Sequence, residues 1–420
     1  MFLFILMKGS FKKHYSDLTL QFRNQFPDLQ GYLYICTMFL ERNITKSIKR
    51  SIKYSQVTAI LGARQVGKTT LAKQILKEYK DAIYLDLEKL SDFEKLKEAE
   101  TYFEINKNVS LICIDEIQLK PNIYKTLRSF VDENKDARFL VLGSSSPELL
   151  RQTAESLAGR IFYYTLHSFQ LNELSPKVDF KNYHLNGGFP KSILVADNEI
   201  SYEWRTNFIT TFLERDLQMF GYEIPSKMIH RLWIMLAHIN GQILTYATLS
   251  KSLDVDAKTI KKYIDILHHT FMVKLLEPYY INVKKRLIKS PKIYIKDTGI
   301  LHALLKIENY NDLYTNPIFG SSYEALVIEN IINKFDKWEH FFYRTSDGTE
   351  IDLVLVKGLK VIAIEIKASI TPKLNRGFWT AIEDIKATKA FIIAPVKQTY
   401  AYKNDVLVYN LEDFLKLDLN

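Results

Sequence analysis

Short apolar runs alternate with segments of helical periodicity over the first part of the chain. We interpret as strands the runs Val57–Leu61, Asp81–Leu87, Leu111–Glu116 and Arg138–Ser145. Their near-continuous apolar character is typical of parallel strands that are buried on both faces. The alternation predicts an α/β domain with a parallel sheet, in which a ligand lies at the carboxyl ends of the strands.

The middle of the chain has a different pattern, in which three helical segments precede two strands. The helices are predicted at Met228–Ile239, Tyr246–Leu253 and Ala257–His269, and the strands at Phe271–Leu276 and Lys292–Ile295. Three helices and a β-hairpin describe a winged helix-turn-helix, in which the third helix can enter a DNA groove.

Lysines on this third helix indicate an anionic partner. Lys258, Lys261 and Lys262 would line its exposed face, against the phosphates of DNA. A basic loop follows at Lys284–Lys289. The alternatives are a rigid spacer, a protein contact, or lysines that are only solvated. DNA is therefore one candidate partner, and a protein partner or a second copy of the chain remains open.

A predicted hairpin near the carboxyl terminus carries charged residues at one end. If the strands pair from their turn outward, Asp352 lies opposite Glu365, and Glu350 lies opposite Lys367. Carboxylates about 5 Å apart repel by roughly 3 kcal/mol at an effective dielectric constant of about 20. A cation or a proton is therefore required, and Mg²⁺ between Asp352 and Glu365 is the interpretation that we favour. The hairpin comprises Ile351–Val356, Lys357–Lys360 and Val361–Lys367.

Glu324 adds a third carboxylate as a predicted metal ligand. It lies near the start of a predicted helix, on the apolar face, where a carboxylate needs a partner. With Asp352, Glu365 and Lys367 it resembles the PD-(D/E)XK nuclease pattern. That resemblance implies that the acids bind metal and that the lysine positions the attacking water. Related domains keep the fold without cleaving, and a structural Glu350–Lys367 ion pair is the alternative.

Composition limits the class of protein. The chain has 420 residues, enough for two or three domains, and 47% hydrophobic with 25% charged residues is ordinary for a soluble globular protein. A net charge of +9 indicates an anionic partner. No stretch predicts a membrane span. The two cysteines, Cys36 and Cys113, form no disulfide framework, which favours a cytoplasmic location.

Gly62–Thr69 fits the phosphate-binding pattern G-x-x-x-x-G-K-[ST] between a predicted strand and helix. In this setting backbone N–H groups bind phosphates, Lys68 reaches the β and γ oxygens, and Thr69 ligates Mg²⁺. The predicted cofactors are therefore ATP and Mg²⁺. The predicted ATP-binding residues are Gly62, Ala63, Arg64, Gln65, Val66, Gly67, Lys68, Thr69, Thr70 and Ser144.

Two carboxylates end the strand Leu111–Glu116 in a Walker B pattern. Asp115 is expected to hold Mg²⁺ through water, and Glu116 to polarise the water that attacks the γ-phosphate. At the end of the next strand, Ser144 or Ser145 is a candidate γ-phosphate sensor. A strand-end turn without a sensing role is the alternative.

These motifs resemble the AAA-family ATPases of bacteria and archaea that carry a DUF4143 carboxyl-terminal region. The resemblance covers about residues 38–415 and implies an AAA-type ATPase core, a winged helix and a nuclease-like fold. The motifs that carry it are Gly62–Thr70, Leu111–Gln118, Leu157–Arg160, Gly187–Pro190 and Leu213–Asp216.

Arg160 is a further candidate catalytic residue. An arginine after the ATPase core can neutralise transition-state charge, in cis or from a neighbouring subunit. A surface ion pair is an equal alternative, and Arg151 is a weaker candidate for the same role. Arg215 and Asp216, in a helix predicted at Tyr202–Phe220, are interpreted as an inter-domain ion pair.

The sequence thus predicts an ATP hydrolase whose nucleotide state repositions a DNA-binding region that is also a candidate for DNA cleavage. The alternative is an ATP-dependent switch that binds a protein partner and has a catalytically silent nuclease-like domain. The predicted divisions are an extension at 1–37, with Met38 an alternative start, an ATPase domain at 38–190, a helical linker at 191–225, a winged helix at 226–300 and a nuclease-like domain at 301–420.

Overall fold

The computed structural model describes residues 40–144, 157, 159–219, 222, 224–280 and 287–419. The predicted extension 1–37, Ser145, Arg151 and residues 284–286 of the basic loop lie outside this part of the chain.

A five-stranded parallel sheet forms the amino-terminal part of the described chain, in the strand order β2-β3-β4-β1-β5. Every residue of β1, β3 and β4 is buried, as the continuous apolar runs predict. The prediction of a parallel α/β domain is confirmed. The strands are β1 (Val57–Leu61), β2 (Ile83–Asp86), β3 (Ile112–Asp115), β4 (Phe139–Gly143) and β5 (Ile161–Thr165).

Helices precede and connect these strands: α1 (Thr45–Tyr54), α2 (Lys68–Leu76), α3 (Leu90–Lys95), α4 (Ala99–Ile105) and α5 (Ile123–Glu133). The charged segment between β2 and β3 forms two helices, α3 and α4, because the chain leaves helical geometry at Leu96.

A helical region follows the first sheet. A π-helical segment, Phe212–Asp216, interrupts the long helix that the sequence predicts at 202–220. Asp256 caps α13 by accepting a hydrogen bond from the Thr259 backbone N–H at 2.8 Å. The helices are α6 (Leu171–Leu174), α7 (Phe180–Asn186), α8 (Pro190–Ile193), α9 (Asn198–Thr211), α10 (Leu217–Met219), α11 (Ser226–His238), α12 (Tyr246–Leu253) and α13 (Ala257–His269).

An eight-stranded mixed sheet forms the carboxyl-terminal part, in the order β12-β13-β11-β10-β9-β8-β6-β7. Its strands are β6 (Val273–Pro278), β7 (Lys292–Ile295), β8 (Glu339–Arg344), β9 (Glu350–Lys357), β10 (Lys360–Ile366), β11 (Lys389–Ile393), β12 (Tyr400–Lys403) and β13 (Val406–Tyr409). The helices among them are α14 (Thr298–Leu304), α15 (Tyr310–Thr315), α16 (Phe319–Lys334), α17 (Arg376–Asp384) and α18 (Leu411–Phe414).

The hairpin β6–β7 belongs to this second sheet. β6 pairs with β8 in parallel, with Glu277 opposite Phe341 and Pro278 opposite Phe342. The hairpin that the sequence assigns to a winged helix is therefore continuous with strands of the predicted nuclease-like domain, and the predicted division at residue 300 falls between strands of one sheet.

One hydrophobic cluster joins the first sheet to the helical region. It includes Leu71 and Ile75 of α2, Trp233 of α11 and Ile264 of α13, all almost fully buried. Among the described residues, no helix is both long enough and apolar enough to cross a membrane.

Candidate functional site

The phosphate loop leaves the carboxyl end of β1 and enters α2, as the sequence predicts. Gly67, the N-cap of α2, has a φ of 99°, which an L side chain rarely adopts. A Cβ atom on Gly62 would lie 2.2 Å from the Leu166 carbonyl oxygen, so this position admits no side chain. The two glycines of the motif are therefore required by the path of the backbone.

Lys68 is buried at the centre of the loop. Its Nζ donates hydrogen bonds to the carbonyl oxygens of Gly62 and Ala63, both at 3.0 Å, and to Ser144 Oγ at 2.9 Å. Burial lowers the pKa of the Lys68 ammonium, while nearby Glu116 and Asp115 oppose that shift.

Asp115 ends β3 and faces the start of α2. Its Oδ2 accepts hydrogen bonds from Thr69 Oγ1 at 2.6 Å and from the Tyr84 hydroxyl at 2.7 Å. Tyr84 comes from the neighbouring strand β2, which pairs with β3. The predicted Mg²⁺ ligands Thr69 and Asp115 therefore lie together, and Tyr84 is a partner that sequence reasoning missed.

Glu116 and Ser144 complete this edge of the sheet. The Ser144 hydroxyl lies 3.2 and 3.1 Å from the two Glu116 carboxylate oxygens and also contacts Lys68. Gln118 donates from its side-chain amide to Glu116. The structure thus brings together the predicted lysine, base and sensor, which come from three separate segments of the chain.

Arg64 belongs to the predicted ATP-binding loop, but the acidic partners of its side chain lie outside the loop. Its guanidinium forms ion pairs with Asp216 of the π-helical segment and with Glu88. Burial raises the pKa of Asp216, and Arg64 opposes the rise. The sequence predicted an inter-domain ion pair for Asp216 but did not identify Arg64 as its partner.

Arg42 is a buried residue that sequence reasoning missed. It donates to the Val66 carbonyl oxygen of the phosphate loop at 3.0 Å and to the His167 carbonyl oxygen at 2.6 Å. It also pairs with Glu173 at 3.2 Å and lies over the Phe169 ring. Arg42 therefore ties the back of the loop to the segment that follows β5. No sequence signal marks it, because it lies outside the motif.

Arg160 lies near the amino ends of the strands of the first sheet, whereas the phosphate loop lies at their carboxyl ends. Its carbonyl oxygen accepts from the backbone N–H of Val57, at the start of β1, whereas the phosphate loop follows the end of β1. Its guanidinium donates to both carboxylate oxygens of Asp132, at 2.5 and 3.0 Å. The structure does not bring Arg160 to the loop of its own chain, and a role in a neighbouring subunit stays a prediction.

Of the remaining predicted loop residues, Gln65 and Thr70 are exposed, and Ala63 and Val66 are buried. Their role in ATP binding stays a prediction. A left-handed Gly67, a buried lysine and a Thr69–Asp115 pair fit a nucleotide triphosphate with Mg²⁺. Thr69 and Asp115 would hold the ion.

The carboxyl-terminal hairpin has the predicted register. Val361 pairs with Val356 and Ile364 with Leu353, which places Asp352 beside Glu365. Asp352 Oδ2 accepts the Ile366 backbone N–H at 2.9 Å. We name Glu324, Glu350, Asp352 and Glu365 the carboxylate cluster.

Lys292 of β7 enters this cluster, which the sequence did not anticipate. Its Nζ lies 2.7 Å from Glu350 Oε1, 3.3 Å from Glu324 Oε1 and 3.7 Å from Asp352 Oδ1, and its side chain is 3% exposed. Burial alone would lower the pKa of Lys292, but Glu324, Tyr294 and the other carboxylates raise it well above the ordinary value.

Lys367 pairs with Glu365 rather than with Glu350, at 2.6 Å. The other oxygen of Glu365 is buried without a hydrogen-bond partner. Burial raises the pKa of Glu365 to about 8, and Asp352 adds to the rise. Burial also raises the pKa of Glu324 to about 7, although Lys292 opposes that rise.

The metal centre expected from Glu324, Asp352 and Glu365 stays a prediction. Among the residues that the structure describes, no group of three or more His, Cys, Asp or Glu side chains is positioned to hold a metal ion.

Three family models match consecutive parts of the chain. A model described as an AAA domain matches residues 54–175, and domains of unknown function DUF8612 and DUF4143 match residues 177–311 and 319–414. The AAA and DUF4143 parts of the resemblance are confirmed, whereas the sequence interpretation did not anticipate DUF8612.

Relatives extend over most of the chain. "Uncharacterized protein Rv2008c" of Mycobacterium tuberculosis is 34% identical over 381 residues, which are 90% of this chain and 86% of the relative. "Uncharacterized protein MJ1637" of Methanocaldococcus jannaschii is 23% identical over 84% of this chain and 83% of the relative.

A solved structure, the Walker-type ATPase PABY2304 of Pyrococcus abyssi, covers 64% of this chain and 96% of its own at 13% identity, with a TM-score of 0.47. Because 34% identity to Rv2008c extends over 90% of this chain, the two proteins are homologous. This chain therefore belongs to the same family as Rv2008c, with an AAA domain followed by DUF8612 and DUF4143 regions.

Proposed function

We propose that this chain binds ATP with Mg²⁺ at Gly62–Thr69 and hydrolyses it. The observation that carries the proposal is the hydrogen-bonded series from Lys68 through Ser144 to Glu116, with the Thr69–Asp115 pair beside it. A structural turn needs no such convergence of a lysine, two hydroxyls and two carboxylates on one sheet edge.

Each residue has a distinct role in the proposal. Lys68 and the N–H groups of the loop bind the phosphates, and Glu116 accepts the proton of the attacking water. Ser144 contacts both Lys68 and Glu116, and in the proposal it responds to the loss of the γ-phosphate. Bound Mg²⁺ supplies charge neutralisation for the phosphates.

The test is phosphate release from ATP by the purified full chain, with and without Mg²⁺. We expect hydrolysis, and we expect Lys68→Ala to weaken ATP binding and abolish turnover. Lys77→Ala is the matched control, because Lys77 is exposed just after α2 and its side chain donates to Gln74, outside the phosphate loop. No hydrolysis by the wild-type chain, or equal turnover in Lys68→Ala, would refute the proposal.

A second candidate function is binding of duplex DNA by the helical region. Lys258, Lys261 and Lys262 are all exposed on α13, and none of them takes part in an ion pair between described residues. A cationic helix face without acidic partners favours contact with phosphates.

DNA binding is tested by fluorescence anisotropy at about 50 and 200 mM salt, where phosphate contacts weaken steeply. We expect affinity that falls with salt and is lost when all three lysines become glutamate. A control with Lys46, Lys53 and Lys77 changed to glutamate has the same net charge. Equal loss in both variants would show a non-specific charge effect. No binding by the wild-type chain would favour the switch with a protein partner.

A further inference from the structure

We infer that the ammonium group of Lys292 is the resident cation of the carboxylate cluster, in place of a divalent metal ion. The inference concerns the carboxyl-terminal sheet and does not depend on ATP hydrolysis. It means that the DUF4143 region of this chain is held together by an internal ion network and does not use these acids for metal-dependent cleavage.

The position of Lys292 is the first argument. Its Nζ lies within 3.7 Å of oxygens from Glu324, Glu350 and Asp352, so it reaches three of the four members of the cluster. A metal ion bound by Glu324 and Asp352 would lie among the same oxygens, beside a like charge. The ammonium is also buried and lies over the Phe342 ring, which leaves it little room to withdraw.

Charge balance is the second argument. The four carboxylates face three cations: Lys292 inside the cluster, Lys367 on Glu365 at 2.6 Å, and Arg344 on Glu350 at 3.1 Å. With all four carboxylates ionised, the excess is one negative charge, which is less than a divalent ion would compensate. The repulsion between carboxylates that led us to expect Mg²⁺ is thus already offset by side chains of the chain itself.

The use of the carboxylate oxygens is the third argument. Glu324 Oε1 accepts from the Tyr294 hydroxyl at 2.6 Å, and Asp352 Oδ2 accepts from the Ile366 backbone N–H at 2.9 Å. Metal ligation requires oxygens that converge on one point. Here the oxygens of Glu324, Glu350 and Asp352 that converge do so on the Lys292 ammonium. Glu324 and Asp352 are engaged by further donors of the chain as well.

The position of Lys292 in the sheet shows which elements the ion network connects. Lys292 lies on β7, the last strand at one edge of the sheet, whereas Asp352 and Glu365 lie on β9 and β10 nearer its middle. The ion network therefore ties the edge hairpin β6–β7 and helix α16 to the centre of the sheet.

Mn²⁺ is the probe that tests the inference, on full-length protein without nucleotide. All proteins carry Asp115→Asn, which removes the proposed cation ligand of the ATP site. We expect the wild-type cluster to bind no Mn²⁺ and its melting temperature to be unchanged by Mn²⁺. Lys292→Met should melt lower, regain stability with Mn²⁺, and bind Mn²⁺ at least tenfold more tightly than the unmodified background. Lys360→Met, an exposed lysine of the same hairpin, is the matched control and should behave like the background.

Three results would overturn the inference. One is stoichiometric Mn²⁺ binding by the background protein that Asp352→Asn removes, a comparison that holds even where Lys292→Met does not fold. Another is a folded Lys292→Met that binds Mn²⁺ no better than Lys360→Met. The third is Mn²⁺-dependent DNA cleavage by the wild-type chain that Glu365→Gln abolishes.

Discussion

Lys68, Ser144 and Glu116 occupy one edge of the first sheet because β1, β3 and β4 run parallel and end side by side. The sequence could predict this convergence, since each residue follows an apolar run that reads as a buried strand. Residue type and strand direction together were sufficient to predict that these three residues lie close together.

Arg42, Tyr84 and Lys292 were not predictable in the same way. Each acts through a tertiary contact whose partner is distant in sequence: Arg42 with Val66, Tyr84 with Asp115, and Lys292 with Glu324. A single sequence does not state which strands become neighbours. Lys292 is the clearest example, because Glu324, Asp352 and Glu365 considered without it predicted a metal ion.

Tyr84→Phe is expected to raise the Mg²⁺ concentration for half-maximal ATP hydrolysis by about tenfold, because it removes a hydroxyl that orients Asp115. The measurement is a Mg²⁺ titration of phosphate release. Tyr102→Phe, in α4 and packed on Phe103, is the control and should leave the titration unchanged. An unaltered Mg²⁺ dependence in Tyr84→Phe would remove Tyr84 from the site.

At the scale of elements, a buried hydrogen-bond network joins α7, α14 and α16. Ser322 Oγ lies 3.0 Å from His184 Nε2 and 2.7 Å from His302 Nε2, and His302 Nδ1 lies 2.9 Å from the Leu185 carbonyl oxygen. The bond to Leu185 requires a proton on His302 Nδ1, so Ser322 donates to His302 and accepts from His184. Both rings are neutral in this arrangement.

The network predicts a loss of stability at low pH. Burial lowers the pKa of His184 to about 3 and that of His302 well below its ordinary value. The unfolded chain therefore takes up these protons below about pH 6.5 while the folded chain does not, and each histidine costs up to about 1.4 kcal/mol of unfolding free energy per pH unit below that point.

Chemical denaturation at pH 7 and pH 5 measures this loss. His184→Gln keeps a hydrogen-bonding group without the titration, so its unfolding free energy should fall less between the two pH values than that of the wild-type chain. His238→Gln, at the end of α11, is the control for a histidine whose ring is outside the network. Equal falls in wild type and His184→Gln would contradict the assignment.

Element boundaries also show the limits of sequence reasoning. The bounds of α12 and α13 coincide with their predictions, since apolar periodicity and the Asp256 cap define them locally. The π-helical segment Phe212–Asp216 was missed, because apolar periodicity does not indicate an extra residue per turn. Its contacts are tertiary: Asp216 pairs with Arg64, and Phe212 packs on Trp233. Such segments are frequent at functional sites.

At the scale of the whole molecule, the π-helical segment contacts both the phosphate loop and helix α11. Arg64 of the phosphate loop pairs with Asp216, and Phe212 of the same segment packs on Trp233 of α11 with ring centroids 5.3 Å apart. We propose that phosphates in the loop compete with Asp216 for Arg64, so that nucleotide binding shifts the π-helical segment and the helices packed on it.

Asp216→Asn tests this coupling. Arg64 then loses a buried charge partner and is freed for the phosphates, so ATP affinity should rise about fivefold, equivalent to about 1 kcal/mol. Protease sensitivity of the helical region should no longer change with ATP. Glu214→Gln, an exposed neighbour, is the control. Weaker ATP binding, or an unchanged response to ATP in Asp216→Asn, would count against the coupling.

The shared second sheet is the largest difference from the sequence interpretation. The β6–β7 hairpin was assigned to a separate winged helix, yet β6 pairs with β8. Local pattern predicted the two strands and their pairing as a hairpin. It did not predict the pairing of β6 with β8, because residues 278 and 342 are brought together only by the complete fold. The winged-helix and nuclease-like interpretations stay predictions.

The central claim is that Glu116 activates water at a site that also binds ATP. The most direct test is Glu116→Gln, measured for ATP affinity and for single-turnover phosphate release. The account predicts an unchanged dissociation constant with hydrolysis slowed at least about 100-fold, since a general base contributes on that order. Undiminished hydrolysis in a folded, ATP-binding Glu116→Gln protein would contradict it.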